Sequence, residues 1–174
     1  MTMRAMSHSS PRRARSSILL IAALVAFLGL AAGPVAHPAP ANASTADNME
    51  SLLVGWINHA RANRGIPALT VGSKLTRLAG DRAATLARTE NLVHPSCLAC
   101  TFRAYSISFS TCGEVIAMTT YPWGYEAAKS ILLAWKGSSG HWSLLMSRSF
   151  HRIGMGVAYR SSDHSTWAAG ELAG

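Results

Sequence analysis

The chain has 174 residues, of which 49% are hydrophobic and 14% are charged, and its formal net charge at pH 7 is +8. Its basic residues are scattered and form no aromatic-rich basic motif, so the sequence does not support nucleic-acid binding. Four of the 16 Lys and Arg residues precede Ser44 and all eight acidic residues follow it, so the chain from Ser44 onward has a net charge of +4. This mild basic charge is compatible with weak attraction to an anionic envelope surface.

Residues 1–43 are predicted to be a secretory signal peptide. Residues 1–17 contain four arginines and no acidic residue, and residues 18–32 (ILLIAALVAFLGLAA) are apolar throughout. This apolar run is shorter than the ~20 residues that span a bilayer, and Ala41-Asn42-Ala43 fits cleavage before Ser44. We therefore expect one domain over residues 44–174, which is secreted to the extracellular space or the cell envelope and meets the membrane only through the signal peptide. An uncleaved anchor is the alternative.

Two amphipathic helices are predicted at the start of this domain. Asp47 and Glu50 have the spacing of a capping box and begin the first helix, which ends at the breaker Arg64-Gly65-Ile66-Pro67. Ser73 is predicted to cap a second helix, whose apolar stripe extends to Ala87.

The middle of the chain is predicted to contain a long loop and one core strand. Residues 94–111 lose any periodicity and indicate a loop with a short helical turn, and residues 113–118 are typical of a buried strand. A third helix is predicted over residues 126–135. Ser138 is predicted to cap a short fourth helix, with His141 at its third position.

The last third of the sequence alternates with a period of two. Residues 153–159 predict a strand with glycines on one face, and residues 166–172 predict a strand that returns antiparallel to it after a polar turn. Helices followed by strands with helices between them indicate the α+β class, with an antiparallel sheet covered by helices.

Three cysteines lie close together, at Cys97, Cys100 and Cys112. In an exported protein they predict one disulfide and one free thiol, and the sequence does not select the pair. A bridge from Cys112 to Cys97 or Cys100 would fix the loop before Gly113. The C-x-x-C spacing of Cys97 and Cys100 occurs in redox motifs, but the strand and helix pattern of a thioredoxin does not surround it, which disfavours a redox role. A zinc site that combines His94 with the three cysteines is a further alternative.

Several motifs occur in an order that resembles one known family. They are Ile57-Asn58-x-x-Arg61, His94, Gly113-Glu114, Ala134-Trp135-x-x-Ser138-x-Gly140-His141 and Ile153-Gly154-x-Gly156-Val157. Together they resemble the CAP superfamily (cysteine-rich secretory proteins, antigen 5 and pathogenesis-related proteins), in its bacterial branch.

The resemblance implies a three-layer α-β-α sandwich with a central, mainly antiparallel sheet and a cleft lined by two histidines and their partners. Carried over by motif, the cleft residues are His94, Glu114, Ser138 and His141. Many non-bacterial members carry a second glutamate in the cleft, whereas no acidic residue stands near Trp135 here.

The cleft residues suggest a metal site or a purely structural network. A helix start disfavours protonation of His141, and a neutral imidazole can bind metal, so His94 and His141 would form half of a site for zinc or another divalent cation, completed by Glu114 or water. In the structural alternative, Glu114 accepts hydrogen bonds from the histidines and from Ser138, which satisfies buried polar groups.

Two functions follow from these alternatives. The preferred one is a secreted, non-enzymatic binding module for a lipid, a sterol or an envelope component, since lipid and sterol binders occur in the family that the chain resembles. The other is a divalent-metal-assisted hydrolase that uses Glu114 or a histidine as general base. Ser138 is a poor nucleophile in either case, because an N-cap hydroxyl is engaged with helix N–H groups.

Overall fold

The computed structural model describes residues 45–174, so the predicted signal peptide at residues 1–43 lies outside the described part of the chain. Within residues 45–174, no helix is both long enough and apolar enough to cross a membrane. The described residues form, in chain order, α1 (Thr45–Ala62), β1 (Thr70–Val71), α2 (Ser73–Thr89), α3 (Leu98–Ala104), β2 (Cys112–Thr119), α4 (Tyr125–Gly137), α5 (Ser139–Leu145), β3 (Arg152–Arg160) and β4 (Ser165–Ala173).

The four strands form one sheet in the order β1-β3-β4-β2. The strand β4 is antiparallel to both β3 and β2, and the short β1 is parallel to β3. The sheet is therefore mainly antiparallel, which confirms the predicted α+β class. Its outer strands are β1 on one side and β2 on the other.

Helices cover both faces of the sheet. On one face, a Cβ atom at Gly154 or Gly156 would collide with the backbone of α2 at Leu75 and Ala79, so the glycines of β3 allow α2 to approach closely. On the other face, α1 and α4 pack on the strands through fully buried side chains that include Leu53, Ile57, Ile131 and Trp135. The molecule is a three-layer α-β-α sandwich, as the resemblance implied.

Two polar residues near the end of α1 fix the chain around it. The amide of Asn58 donates to the Leu69 carbonyl (3.0 Å) and accepts from the Leu69 N–H (2.8 Å). Arg61 is only 1% exposed, and the four hydrogen bonds of its guanidinium satisfy the buried charge. They go to the carbonyl oxygens of Pro67 (2.8 Å), Leu145 (2.7 Å), Ser147 (2.9 Å) and Phe150 (3.1 Å).

Two predicted helix caps are wrong. Gly72, and not Ser73, precedes the first turn of α2, and no side chain caps this helix. The first helix begins at Thr45, two residues before Asp47, and Glu50 does not close a capping box. The Oε1 atom of Glu50 instead accepts a hydrogen bond from the Val157 N–H at 3.2 Å, because α1 packs against β3.

Candidate functional site

Glu114 is the centre of the polar cluster that the motifs predicted. It lies in β2, and its side chain is only 1% exposed. Its Oε1 atom accepts from Nε of Arg82 at 2.6 Å, and its Oε2 atom accepts from Nδ1 of His94 at 2.6 Å and from Nη2 of Arg82 at 3.4 Å. Both carboxylate oxygens are therefore engaged by α2 and by the loop that follows it.

His141 lies close to His94 in this cluster. Its ring centroid lies 5.9 Å from that of His94, with the ring planes 57° apart. Burial, followed by the neighbouring His94, lowers the pKa of His141, and the negative charge of Glu114 partly opposes this shift. The cleft therefore presents one imidazole that is held by Glu114 and a second that resists protonation.

Ser138 supports the cleft without lining its centre. It is the N-cap of α5, as the sequence predicted, and its hydroxyl oxygen accepts from the backbone N–H of His141 at 3.4 Å. Among the described residues, Ser138 makes no hydrogen bond to Glu114 or His94, so this part of the predicted structural network is wrong. The structure thus brings together His94, Glu114 and His141, while Ser138 sets the start of the helix that carries His141.

The motifs did not identify two residues that belong to this cluster. Arg82 occupies the inner side of α2, where its spacing of four residues from the buried Leu78 is a signal for an inward side chain. Glu171 pairs directly with Glu114 across β2 and β4, and it is fully buried. An acidic residue inside a predicted strand was the signal for Glu171.

Glu171 supplies a second carboxyl group, from a strand and not from the helix near Trp135. Within residues 45–174, no group donates a hydrogen bond to either of its carboxylate oxygens. Burial, followed by the charge of Glu114 and by a hydrogen bond to the Glu114 carboxylate that only protonated Glu171 can donate, raises the pKa of Glu171 from 4.5 to about 9. Glu171 is therefore protonated at neutral pH, which avoids placing two adjacent negative charges in the sheet.

The cysteine pairing that the sequence left open is between Cys97 and Cys100, and Cys112 is a free thiol. The count of one disulfide and one free thiol is confirmed, whereas the bridge to Cys112 is wrong. Three residues of spacing place Cys97 and Cys100 across the first turn of α3, with their Cα atoms 5.2 Å apart. Because their sulfur atoms are bonded to each other, the predicted zinc site of three cysteines and His94 is overturned.

The cleft offers few ligands to a divalent metal. Across the described residues, no three His, Cys, Asp or Glu side chains are placed to hold a metal ion together. His94 already uses Nδ1 to contact Glu114, and Glu114 is paired with Arg82. His94 and His141 therefore provide two imidazoles toward a site that ordinarily requires three or four protein ligands.

The order of motifs and the fold both agree with one family. The family model described as CAP, the cysteine-rich secretory protein family, matches residues 54–170. The chain belongs to this family. A comparison with curated protein sequences found no match to this CAP protein.

Solved structures with the same fold come from several bacteria. An extracellular protein with an SCP domain from Bacillus anthracis has a TM-score of 0.63 at 17% identity, over 74% of this chain and 41% of that one. An outer surface protein of Borrelia burgdorferi has a TM-score of 0.64 at 18% identity, over 72% and 92%. A cysteine-rich secretory protein of Staphylococcus aureus has a TM-score of 0.59 at 17% identity, over 76% and 40%.

These similarities establish the fold of the CAP domain. The chain spans about two fifths of the B. anthracis and S. aureus proteins and nearly all of the B. burgdorferi protein. All three are described as extracellular, outer-surface or secretory proteins.

The CAP domain also has a concave surface between α1 and α4, which we call the α1–α4 groove. Its volume is about 400 Å³. Trp56 of α1 and Tyr125 of α4 meet edge to face at one end, with ring centroids 5.4 Å apart. The residues that line the groove are Trp56, His59, Ala60, Asn63, Arg64, Tyr125, Lys129, Leu132 and Lys136.

The α1–α4 groove combines apolar walls with positive charge. Arg64 and Lys136 both lie over the ring of Trp142, at 5.4 Å and 5.6 Å from its centroid, which restricts the positions of these two cations. Lys129 adds a third, and no acidic side chain of the described residues lines the groove. Such a surface suits a ligand with an apolar body and an anionic head.

Proposed function

We propose that this chain is a secreted, non-enzymatic CAP module that binds a lipid with an anionic head in the α1–α4 groove. The observation that carries the proposal is the composition of that groove, in which aromatic and aliphatic side chains alternate with three cations. A volume of about 400 Å³ is within the range of small-molecule sites. The acyl chain would lie against Trp56 and Leu132, and the head would meet Lys129 and Lys136.

Secretion to the extracellular space or the cell envelope is supported by two independent observations. The first is the basic and then apolar sequence of residues 1–43, which has the form of a signal peptide. The second is that the proteins of similar fold are described as extracellular, outer-surface or secretory.

The state of the cleft favours binding over hydrolysis. A general base must reach water, but the Glu114 side chain is only 1% exposed and both of its oxygens accept short hydrogen bonds from Arg82 and His94. The hydroxyl of Ser138 accepts a helix N–H. We therefore assign Glu114 and Ser138 to holding the cleft in shape, and we place the ligand in the α1–α4 groove.

Titration with monomeric palmitate, followed by tryptophan fluorescence and calorimetry, tests this proposal. The double variant Lys129→Gln/Lys136→Gln is expected to weaken binding by about 10-fold or more, because it removes two cations from the groove. The double variant Lys74→Gln/Arg88→Gln removes the same charge from exposed positions of α2 and is expected to bind as the parent does.

Three outcomes would overturn the assignment. Equal affinity in the two double variants would show that charge in the groove has no role. A neutral sterol that binds more tightly than palmitate, and equally to both variants, would replace the anionic lipid with a sterol. Turnover of an ester that is lost in Glu114→Gln would support the metal-assisted hydrolase instead.

A further inference from the structure

Another concave surface lies at the opposite edge of the sheet from the cleft. The cleft is built on β2, whereas this cavity of about 420 Å³ is bounded by α1, α2 and β3. It exists because β1 is only two residues long and pairs with β3 at Arg152 and Ile153 alone. Beyond Ile153, the edge of β3 is covered by helices and not by a strand.

The backbone of β3 presents polar groups toward this cavity. The Ile153 carbonyl accepts from the Gly72 N–H on the β1 side, and the Val157 N–H donates to Glu50 on the same side. Because backbone groups of alternate residues point to the same edge of a strand, the N–H and C=O of Met155 also point there. Met155 lines the cavity, so a hydrogen-bond acceptor lies in its wall.

Glu50 brings a half-buried carboxyl group to this wall without a cation beside it. No Lys, Arg or His of the described residues lines the cavity, and Glu50 forms no ion pair within residues 45–174. Burial raises the pKa of Glu50 to about 7. The hydrogen bond from the Val157 N–H lowers this pKa, and the charge of Asp47, the other titratable group in the lining, raises it. An ionised carboxylate in such surroundings is stabilised by an opposite charge.

The rest of the lining combines apolar and polar residues. Val54 of α1, Val71 of β1 and Met155 of β3 are apolar, whereas Asp47, Ser51 and Thr76 carry polar side chains. A divalent metal is not favoured here, because only two carboxyl groups line the cavity and no three His, Cys, Asp or Glu side chains of residues 45–174 are placed to hold a metal ion together. A ligand that fits both the Glu50 carboxyl group and the apolar side chains of the cavity has a cationic head and a short hydrocarbon body.

We propose that the cavity between α1, α2 and the β3 edge binds a small primary alkylammonium ion. The ammonium group donates to the Glu50 carboxylate and to the Met155 carbonyl, and the alkyl chain packs on Val54 and Val71. This site is separate from the α1–α4 groove, which is lined by cations and would repel the same ligand. The proposal therefore does not depend on the proposed function.

Calorimetric titration of the full protein with n-pentylammonium chloride at about pH 8 tests this site; the amine is then protonated, as a lysine side chain is. 1-Pentanol, which has the same body without the charge, is expected to bind about 10-fold more weakly or not at all. Glu50→Gln keeps the acceptor for the Val157 N–H and is expected to weaken pentylammonium binding by about 10-fold or more. Glu126→Gln, at an exposed position of α4, is the matched control and is expected to have no effect.

A second variant, Val71→Lys, tests the same site even if Glu50→Gln fails to fold. Val71 is 58% exposed, so Val71→Lys is tolerated at the surface and places a tethered ammonium group in the cavity lining. It is expected to abolish pentylammonium binding while leaving palmitate binding unchanged. Undiminished pentylammonium binding in Val71→Lys, equal affinity in Glu50→Gln and the parent, or equal binding of pentanol would each overturn the proposal.

Binding is also expected to release protons. A cation beside Glu50 favours its ionised form, so pentylammonium binding at about pH 6.5 should release a proton, which appears as a dependence of the measured enthalpy on the buffer. Glu50→Gln should lose this dependence. The same dependence on buffer in Glu50→Gln would assign the proton to another group and contradict the role of Glu50.

Discussion

Glu114 and Glu171 are directly paired across β2 and β4, so two carboxyl groups occupy neighbouring buried positions in one sheet. Arg82 and His94 donate hydrogen bonds to the first, whereas no group of the described residues donates to the second. The pair therefore holds one negative charge at neutral pH and not two.

Glu171→Gln is expected to stabilise the protein at alkaline pH. The native state keeps a proton on Glu171 that the unfolded chain loses above about pH 4.5, so the free energy of unfolding falls as the pH rises toward about 9. Glutamine is uncharged at every pH, so Glu171→Gln removes this decrease in the free energy of unfolding. Urea unfolding should give a gain of up to about 5 kcal/mol near pH 8 and no gain near pH 4. A gain that is independent of pH, or one shared by Glu126→Gln, would contradict the raised pKa.

Arg82→Met is expected to destabilise the protein strongly. It removes the bidentate partner of a carboxylate that is 1% exposed and leaves His94 as the remaining donor. Breaking a buried pair in this way costs about 3–5 kcal/mol, and partial access of solvent to Arg82 reduces this to about 2–4 kcal/mol. Arg88→Met, one turn and a half further along α2 at an exposed position, is the control and should change the free energy of unfolding by less than about 0.5 kcal/mol.

Zinc is expected to bind weakly at the histidine pair. His94 and His141 supply two ligands, and water would have to complete the coordination, so affinity should be far below that of structural zinc sites. Titration of the chelator-free protein should give a dissociation constant no tighter than about 10 μM, and His141→Ala should weaken it by about 10-fold. Stoichiometric zinc retained through dialysis, or a zinc dissociation constant that is unchanged in His141→Ala, would contradict this prediction.

One thiol per chain is expected to react with a thiol reagent, and it belongs to Cys112. Burial raises the pKa of this thiol, which lowers the thiolate fraction, so the folded protein should react more slowly than the protein in denaturant. Cys112→Ser should show no reactive thiol in either condition. Peptide mapping that recovers Cys112 in a disulfide would show that the pairing of Cys97 with Cys100 is not the native one.

The elements that could be predicted from the sequence are those with a local signal. The apolar periodicity of α1, α2 and α4, the Ser138 cap and the glycines of β3 depend on residues a few positions apart. The two-residue strand β1 has no such signal, and its presence depends on pairing with β3, more than 80 residues later.

The residues of the candidate site also fall into those that the sequence could identify and those that it could not. His94, Glu114 and His141 could be named because each lies in a motif that the family shares. Glu171 could not, because its position beside Glu114 depends on the register of two strands that are distant in sequence. The spacing of Arg82 from Leu78 indicates an inward side chain, but its contact with Glu114 depends on how α2 packs on β2, which the sequence near Arg82 does not specify.

Arg61 also constrains the order in which the molecule folds. It bonds carbonyl groups that lie 84 to 89 residues further along the chain, at the end of the helix that carries His141. These contacts form only after a very long segment has been closed, which is entropically slow. The segment that ends α5 and follows it should therefore become fixed against α1 late in folding.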